Sequence, residues 1–119
     1  MSLTINKPVV SVNGNPLTLE QAPFIDRGNT LIPLRFVVEA LGGKVDWNQD
    51  ERKVTILRGD KLIELWNDQN DLIVNGHRIT AEVPPRLANN LTMVPLRVIS
   101  ENLGWKVGWD QATYTVTLQ

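Results

Sequence analysis

The side chains most often used for catalysis and metal binding are scarce in this sequence. It contains one histidine, His77, one tyrosine, Tyr114, and no cysteine. A single imidazole cannot supply the ligand set of a transition-metal site, and the lack of cysteine excludes disulfides, thiolate metal sites and a thiol nucleophile. Because His77 directly follows an Asn-Gly turn, we interpret it as an exposed strand residue. The sequence therefore predicts no metal and no other cofactor.

No combination of nucleophile, acid and base stands out either. Ser100 lies within a predicted helix, without the strand–turn–helix elbow that exposes a catalytic serine. Arg35 and Glu39, like Arg97 and Glu101, are four residues apart, which puts each pair on one face of a helix. Such a surface pair contributes about 0.2–0.5 kcal/mol, so we interpret all four residues as structural. We also expect both arginines to bind carbonyl groups of a neighbouring loop, and we predict that the chain is not an enzyme.

The four tryptophans are the best candidates for binding a ligand. Trp47 and Trp109 each follow a valine on the same face of a predicted strand, which favours packing in the core. Trp66 and Trp105 have no such counterpart of each other. Exposed aromatic faces can stack on sugar rings or on partner proteins, so Trp66 and Trp105 are the predicted contact residues. The alternative is that these two indoles cover a joint between the two halves of the chain.

Identical residues recur along the chain at one constant spacing. Asn13-Gly14 returns as Asn75-Gly76, and the spacing is 62 residues (75 − 13 = 62). The same spacing relates Arg35 to Arg97, Glu39 to Glu101 and Trp47 to Trp109. Such self-similarity indicates a repeat architecture. It predicts one repeat over 8–58, a second over 71–119, a connecting strand within 59–70, and an N-terminal arm or cloning scar over 1–7.

Each repeat is predicted to have the order β-β-β-α-β-β. Asn-Gly between apolar alternating residues indicates a hairpin, and Pro33 is suited to the start of a helix. Leu34 and the apolar residues up to Leu41 share one helical face, and Gly42 can end the helix in the left-handed conformation. We therefore predict an α+β fold of two tandem repeats, each a small antiparallel sheet curled around one short helix. Because two helical turns cannot cover a sheet, the repeats should share or pack a common core.

Residues 30–47 resemble the signature of the copper amine oxidase N-terminal-like domain, and residues 92–109 repeat it. The second copy departs from the first at Asn102, Trp105 and Gly108. The resemblance implies a sheet curled around a helix, the stalk of the oxidase that names the family. It also implies tandem copies on secreted or wall-attached proteins of Gram-positive bacteria. Oxidase activity is implied for a different and much larger domain.

These features together predict a non-catalytic extracellular stalk or cell-wall-associated module of a larger bacterial surface protein. The alternative is a carbohydrate-binding module for cell-wall or environmental polysaccharide. The expected partners are a cell-wall polysaccharide or a surface protein, and the expected location is the bacterial surface. A formal net charge of −1 does not favour nucleic acid, and no apolar run reaches the roughly 20 residues of a membrane span. Homo-oligomers are expected through exposed strand edges at 9–12 or 113–118.

Overall fold

The computed structural model describes all residues 1–119 and contains fourteen strands and two helices. In the first half these are β1 (Ser2–Thr4), β2 (Val9–Val12), β3 (Asn15–Thr18), β4 (Phe24–Asp26), β5 (Asn29–Pro33), α1 (Leu34–Ala40), β6 (Lys44–Asn48) and β7 (Lys53–Arg58). In the second half they are β8 (Lys61–Trp66), β9 (Asp71–Val74), β10 (His77–Thr80), β11 (Arg86–Ala88), β12 (Leu91–Pro95), α2 (Leu96–Leu103), β13 (Val107–Asp110) and β14 (Thr115–Leu118).

The strands form three antiparallel sheets, and every sheet takes strands from both halves of the chain. One five-stranded sheet has the order β13-β14-β1-β2-β3, and the other has the order β10-β9-β8-β7-β6. A four-stranded sheet has the order β11-β12-β5-β4. The predicted fold class is therefore wrong. The chain is mostly antiparallel sheet, and it is not an α+β pair of repeats that each wrap a sheet of their own around one helix.

The error has a physical cause, because alternation predicts that a strand exists but not which strand it pairs with. β1 pairs with β14 at the far end of the sequence, so Leu3 lies opposite Val116. β5 pairs with β12, so Ile32 lies opposite Val94. Both pairings satisfy strand edges of one half with backbone groups of the other half. The two halves are thus interleaved rather than placed side by side.

The local turn and helix signals are confirmed. Asn13 and Gly14 have φ values of 52° and 81° in the β2–β3 hairpin, as a two-residue turn of the primed type requires. Asn75 and Gly76 do the same between β9 and β10. Each helix begins directly after a proline at its N-cap, and α2 ends at Gly104 with φ 76°. These features depend on a few adjacent residues, which is why the sequence predicts them.

One continuous core joins both halves. It contains 22 buried residues, drawn from both helices and both five-stranded sheets. Leu3 from β1, Ile56 from β7 and Leu118 from β14 are completely buried in it. A smaller cluster of Leu31, Val83 and Met93 lies by the four-stranded sheet. Because full burial of such a side chain contributes about 1.5–3 kcal/mol, neither half keeps its core without the other.

The two segments predicted to offer free strand edges are interior strands. β2 lies between β1 and β3, and β14 lies between β13 and β1. The outer strands of the two large sheets are β3, β13, β10 and β6. Pairing between copies at 9–12 or at 113–118 would therefore require a neighbouring strand to leave first. Neither helix is long and apolar enough to cross a membrane.

Candidate functional site

An open groove, here called groove 1, lies between α1, the outer strand β6 and the β11–β12 turn. Its volume is about 750 Å³, and half of its sixteen lining residues are hydrophobic. Arg35 and Glu39 of α1 and Trp47 of β6 line it, with Leu87 and Asn90 on the opposite side. The volume is within the range of about 300–1,000 Å³ that is typical of small-ligand sites.

A second groove, here called groove 2, lies in the corresponding place in the other half of the fold. It has a volume of about 500 Å³ and is lined by Arg97 and Glu101 of α2 and by Trp109 of β13. These are the residues 62 positions after Arg35, Glu39 and Trp47. The six recurring residues that the sequence assigned to structural roles are therefore gathered at two related surface grooves.

Each groove exists because a short helix leaves part of a sheet face uncovered. On β6, Val45 is 9% exposed beneath α1, whereas Trp47 further along the same face is 43% exposed. Trp109 on β13 is 45% exposed. A helix of seven or eight residues spans only about 10–12 Å, which is too short to cover the whole strand. We expected these two tryptophans in the core, but the structure leaves each indole half in solvent.

The two exposed indoles are held in place by glutamine side chains. Trp47 donates its Nε1 hydrogen to Gln49 Oε1 at 3.2 Å, and Trp109 donates to Gln111 Oε1 at 2.9 Å. The Trp109 ring also meets Tyr114 edge to face, with 5.9 Å between ring centroids. Both hydrogen bonds use the polar edge of the indole. The faces of the rings are not used by these bonds.

The structure places Trp66 and Trp105, the predicted contact residues, in different surroundings. Trp105 is only 6% exposed, belongs to the main core and lines groove 2. Its Nε1 atom is buried without a hydrogen-bond partner. Trp66 is half-buried at the end of β8 and lines neither groove. The two do not share a groove, and ligand contact by either stays a prediction.

The grooves differ because a large and a small residue are exchanged beside the helices. A Cβ atom at Gly43 would lie 2.6 Å from Val38 Cγ1, so no side chain fits there in the first half. In the second half, Ser100 stands in place of Val38 and Trp105 in place of Gly43. Both Ser100 and Trp105 line groove 2. The added indole becomes part of the wall, and groove 2 is the smaller of the two.

The polar side chains of the two grooves also differ in their partners. In groove 2, Glu82 Oε2 accepts a hydrogen bond from Asn29 Nδ2 at 3.2 Å, and Arg97 Nε lies 4.0 Å from Glu101 Oε1. In groove 1, no side-chain hydrogen bond or ion pair within the chain involves the corresponding polar residues or Asn90, which are Glu20, Arg35 and Glu39. Groove 1 therefore has unused donors and acceptors.

The structural roles expected for the two helix arginines are only partly seen. The ion pair four residues apart forms in α2, between highly exposed side chains, but not in α1. Neither Arg35 nor Arg97 binds a loop carbonyl. Arg58 does so instead, through bonds to Leu41 and Leu103.

The titratable groups outside the grooves do not form a metal site. Nowhere do three or more His, Cys, Asp or Glu side chains cluster in a way that could hold a metal ion. His77 is exposed at the start of β10, as expected. On β7, a hydrogen bond to Glu64 at 3.0 Å raises the pKa of Lys53, and Glu51 acts in the same direction. This ion pair joins β7 to β8 and lines neither groove.

The fold and its grooves define a sheet-rich scaffold domain with one open surface groove and one partly filled counterpart. A family model described as the copper amine oxidase N-terminal domain matches residues 11–118. The chain belongs to that family.

A relative supports the assignment to a module of longer proteins. A "Protease inhibitor" of Brevibacillus choshinensis is 32% identical over 111 residues, which cover 90% of this chain. The match covers 33% of that protein, so the chain spans about a third of the length of its curated relative.

Proposed function

We propose that this chain is a non-catalytic module of a larger bacterial surface or wall-associated protein, with a structural or adhesive role. The observation that carries the proposal is the position of Arg35, Glu39 and Trp47. These recurring side chains line an open groove instead of supporting the core, which is typical of a surface that binds a partner. The family match and the printed name of the relative are both compatible with a module that does no bond-making of its own.

We further propose that the chain contains two interleaved copies of one unit. The strand registers support this, because Leu3 lies opposite Val116 and Leu65 lies opposite Val54, its counterpart at the same spacing. The central pair of Ile32 and Val94 is itself 62 residues apart. In this arrangement β1 and β8 are equivalent strands, so the unit extends beyond 8–58 and 71–119 into the arm and the connecting strand.

The proposed location and adhesive role can be tested with the whole chain. The purified protein should sediment with isolated cell walls of Gram-positive bacteria, in an amount that saturates with protein concentration. A control protein of similar size and charge should stay in the supernatant. If the chain does not bind walls, and cross-linking on intact cells captures no surface protein, the adhesive role is wrong.

A carbohydrate-binding module is the second candidate function. The specific observation that favours it is the exposed indole of Trp47, fixed at its edge by Gln49 and adjacent to unpaired polar side chains. Quenching of tryptophan fluorescence across a panel of wall and plant glycans would detect such binding. A panel without any response leaves the structural and adhesive role as the better account.

A further inference from the structure

We propose that groove 1 is a binding site for a neutral polysaccharide, in which one sugar ring stacks on the indole of Trp47. The inference rests on the second candidate function and names its site and its ligand class. It assigns the contact to Trp47 rather than to Trp66 or Trp105. Four features of the groove carry the argument: its platform, its polar rim, its charge, and its contrast with groove 2.

The platform is rigid and has the right surface. Trp47 is on β6, which is fully paired along one side with β7, and its indole edge is held by Gln49. A ring fixed in advance loses little conformational entropy when a ligand binds. The C–H groups on one face of a pyranose form an apolar patch of a size that matches an indole face, and stacking removes both from water.

The rim supplies hydrogen bonds that a sugar can satisfy. Arg35 offers donors, Glu20 and Glu39 offer acceptors, and Asn90 offers both, and none of them is engaged within the chain. Each hydroxyl of a sugar is both a donor and an acceptor, so it can serve any of these groups. An apolar peptide in the same groove would take two carboxylates and a guanidinium out of water without partners, which is costly.

The charge of the rim favours an uncharged polymer. Arg35 contributes one positive charge, and Glu20 and Glu39 contribute two negative charges, which leaves a net −1 at the groove. An anionic glycan would meet like charge there, and the repulsion would be strongest at low ionic strength. Neutral β-linked hexose or N-acetylhexosamine chains meet no such penalty.

Groove 2 should not bind in the same way, which predicts one site per chain. Its counterparts of the free groups are engaged with each other, since Glu82 accepts from Asn29 and Arg97 lies beside Glu101. The indole of Trp105 also narrows it, in a place where groove 1 has Gly43. A ligand would have to break existing contacts before it could form new ones.

The experiment is a titration of the full chain with cellohexaose, chitohexaose and a polygalacturonate oligomer, followed by calorimetry and by tryptophan fluorescence. We expect at least one neutral oligosaccharide to bind with a stoichiometry near one, and the anionic oligomer to bind more weakly. Trp47→Ala should weaken binding roughly tenfold or more, the scale expected when an anchor aromatic is removed. Trp109→Ala is the matched control, because it removes the equivalent indole from groove 2, and it should change affinity less than about twofold.

Several results would overturn the proposal. These are no binding by any neutral glycan at millimolar concentration, tighter binding of the anionic oligomer, a stoichiometry of two, or equal losses in the two variants. Thermal unfolding of each variant establishes that it is folded, and the exposure of both indoles makes folding the expected result. If Trp47→Ala still sediments with cell walls while no glycan binds, this site is wrong but the proposed adhesive function stands. If wall binding is also absent, both are wrong.

Discussion

Arg58 donates a hydrogen bond from Nη1 to the carbonyl oxygen of Leu103 at 2.8 Å. The same guanidinium donates from Nε to the carbonyl of Leu41 at 3.2 Å. Leu103 ends α2 and Leu41 is the C-cap of α1, so one side chain binds both helix ends. The last carbonyls of a helix lack partners within it and carry partial negative charge, which makes a cation between two such ends stabilising.

Arg58→Ala should therefore lower the free energy of unfolding by about 1.5–3 kcal/mol, the scale of a hydrogen bond to a charged group. Lys at this position should recover only part of the loss, because an ammonium cannot reproduce the two directions of the guanidinium. Urea denaturation measures the change. Arg35→Ala is the control, since Arg35 is exposed and binds no carbonyl, and it should change stability by less than about 0.5 kcal/mol. Equal effects of the two substitutions would contradict the role of Arg58.

Gly43→Ala should destabilise the chain by about 1–3 kcal/mol, because the new Cβ would lie 2.6 Å from Val38 Cγ1 and 3.2 Å from the Leu57 carbonyl. In a Val38→Ala background the same change should cost less, since the nearest methyl group is gone, and a double-mutant cycle reports that coupling. Gly108→Ala is the matched control, as its Cβ would meet only Thr117 Cβ, at 3.6 Å. Full additivity would argue against the contact.

Leu3→Ala should cost about 2–5 kcal/mol, the usual cost of truncating a buried leucine. Leu3 is completely buried between β14 and β2, although the sequence suggested that residues 1–7 are an arm or a cloning scar. Val9→Ala, in the same sheet but 51% exposed, should be nearly neutral. Comparable denaturation midpoints for the two variants would mean that β1 is dispensable.

Trp105→Ala should cost about 3–5 kcal/mol, since it empties a buried site in the main core. Trp109→Ala should cost much less, because its indole is 45% exposed. Calorimetric unfolding of both variants measures the difference. A small effect of Trp105→Ala would restore the possibility that this indole is a surface contact residue, as the sequence suggested.

Features encoded by neighbouring residues were predictable, and features encoded by distant pairing were not. The Asn13-Gly14 turn and the proline before each helix have local causes, and the structure has both where expected. Alternation assigned Trp47 to the correct strand face. It could not show that α1 ends before covering that face, because coverage depends on the packing of a distant element.

The groove left a signal in the sequence that was interpreted as packing. Arg35, Glu39 and Trp47 all recur at one spacing, and so does Gln49, the partner of the Trp47 indole. Recurring polar residues on a helix face have no place in a core, so their recurrence could have indicated a repeated surface. Arg58 could not have been found in this way, because the position 62 residues after it lies beyond residue 119.

The pairing of the first strand with the last has a mechanical consequence. Met1 and Leu118 exchange backbone hydrogen bonds of 2.9 and 2.8 Å, and β1 runs antiparallel to β14, so the polypeptide enters and leaves at the same corner. Tension applied through these two ends would load the bonds between β1 and β14 one after another, like a zipper, rather than all together. A longer protein pulled through this module should lose it at low force, and the released chain would act as an extensible tether.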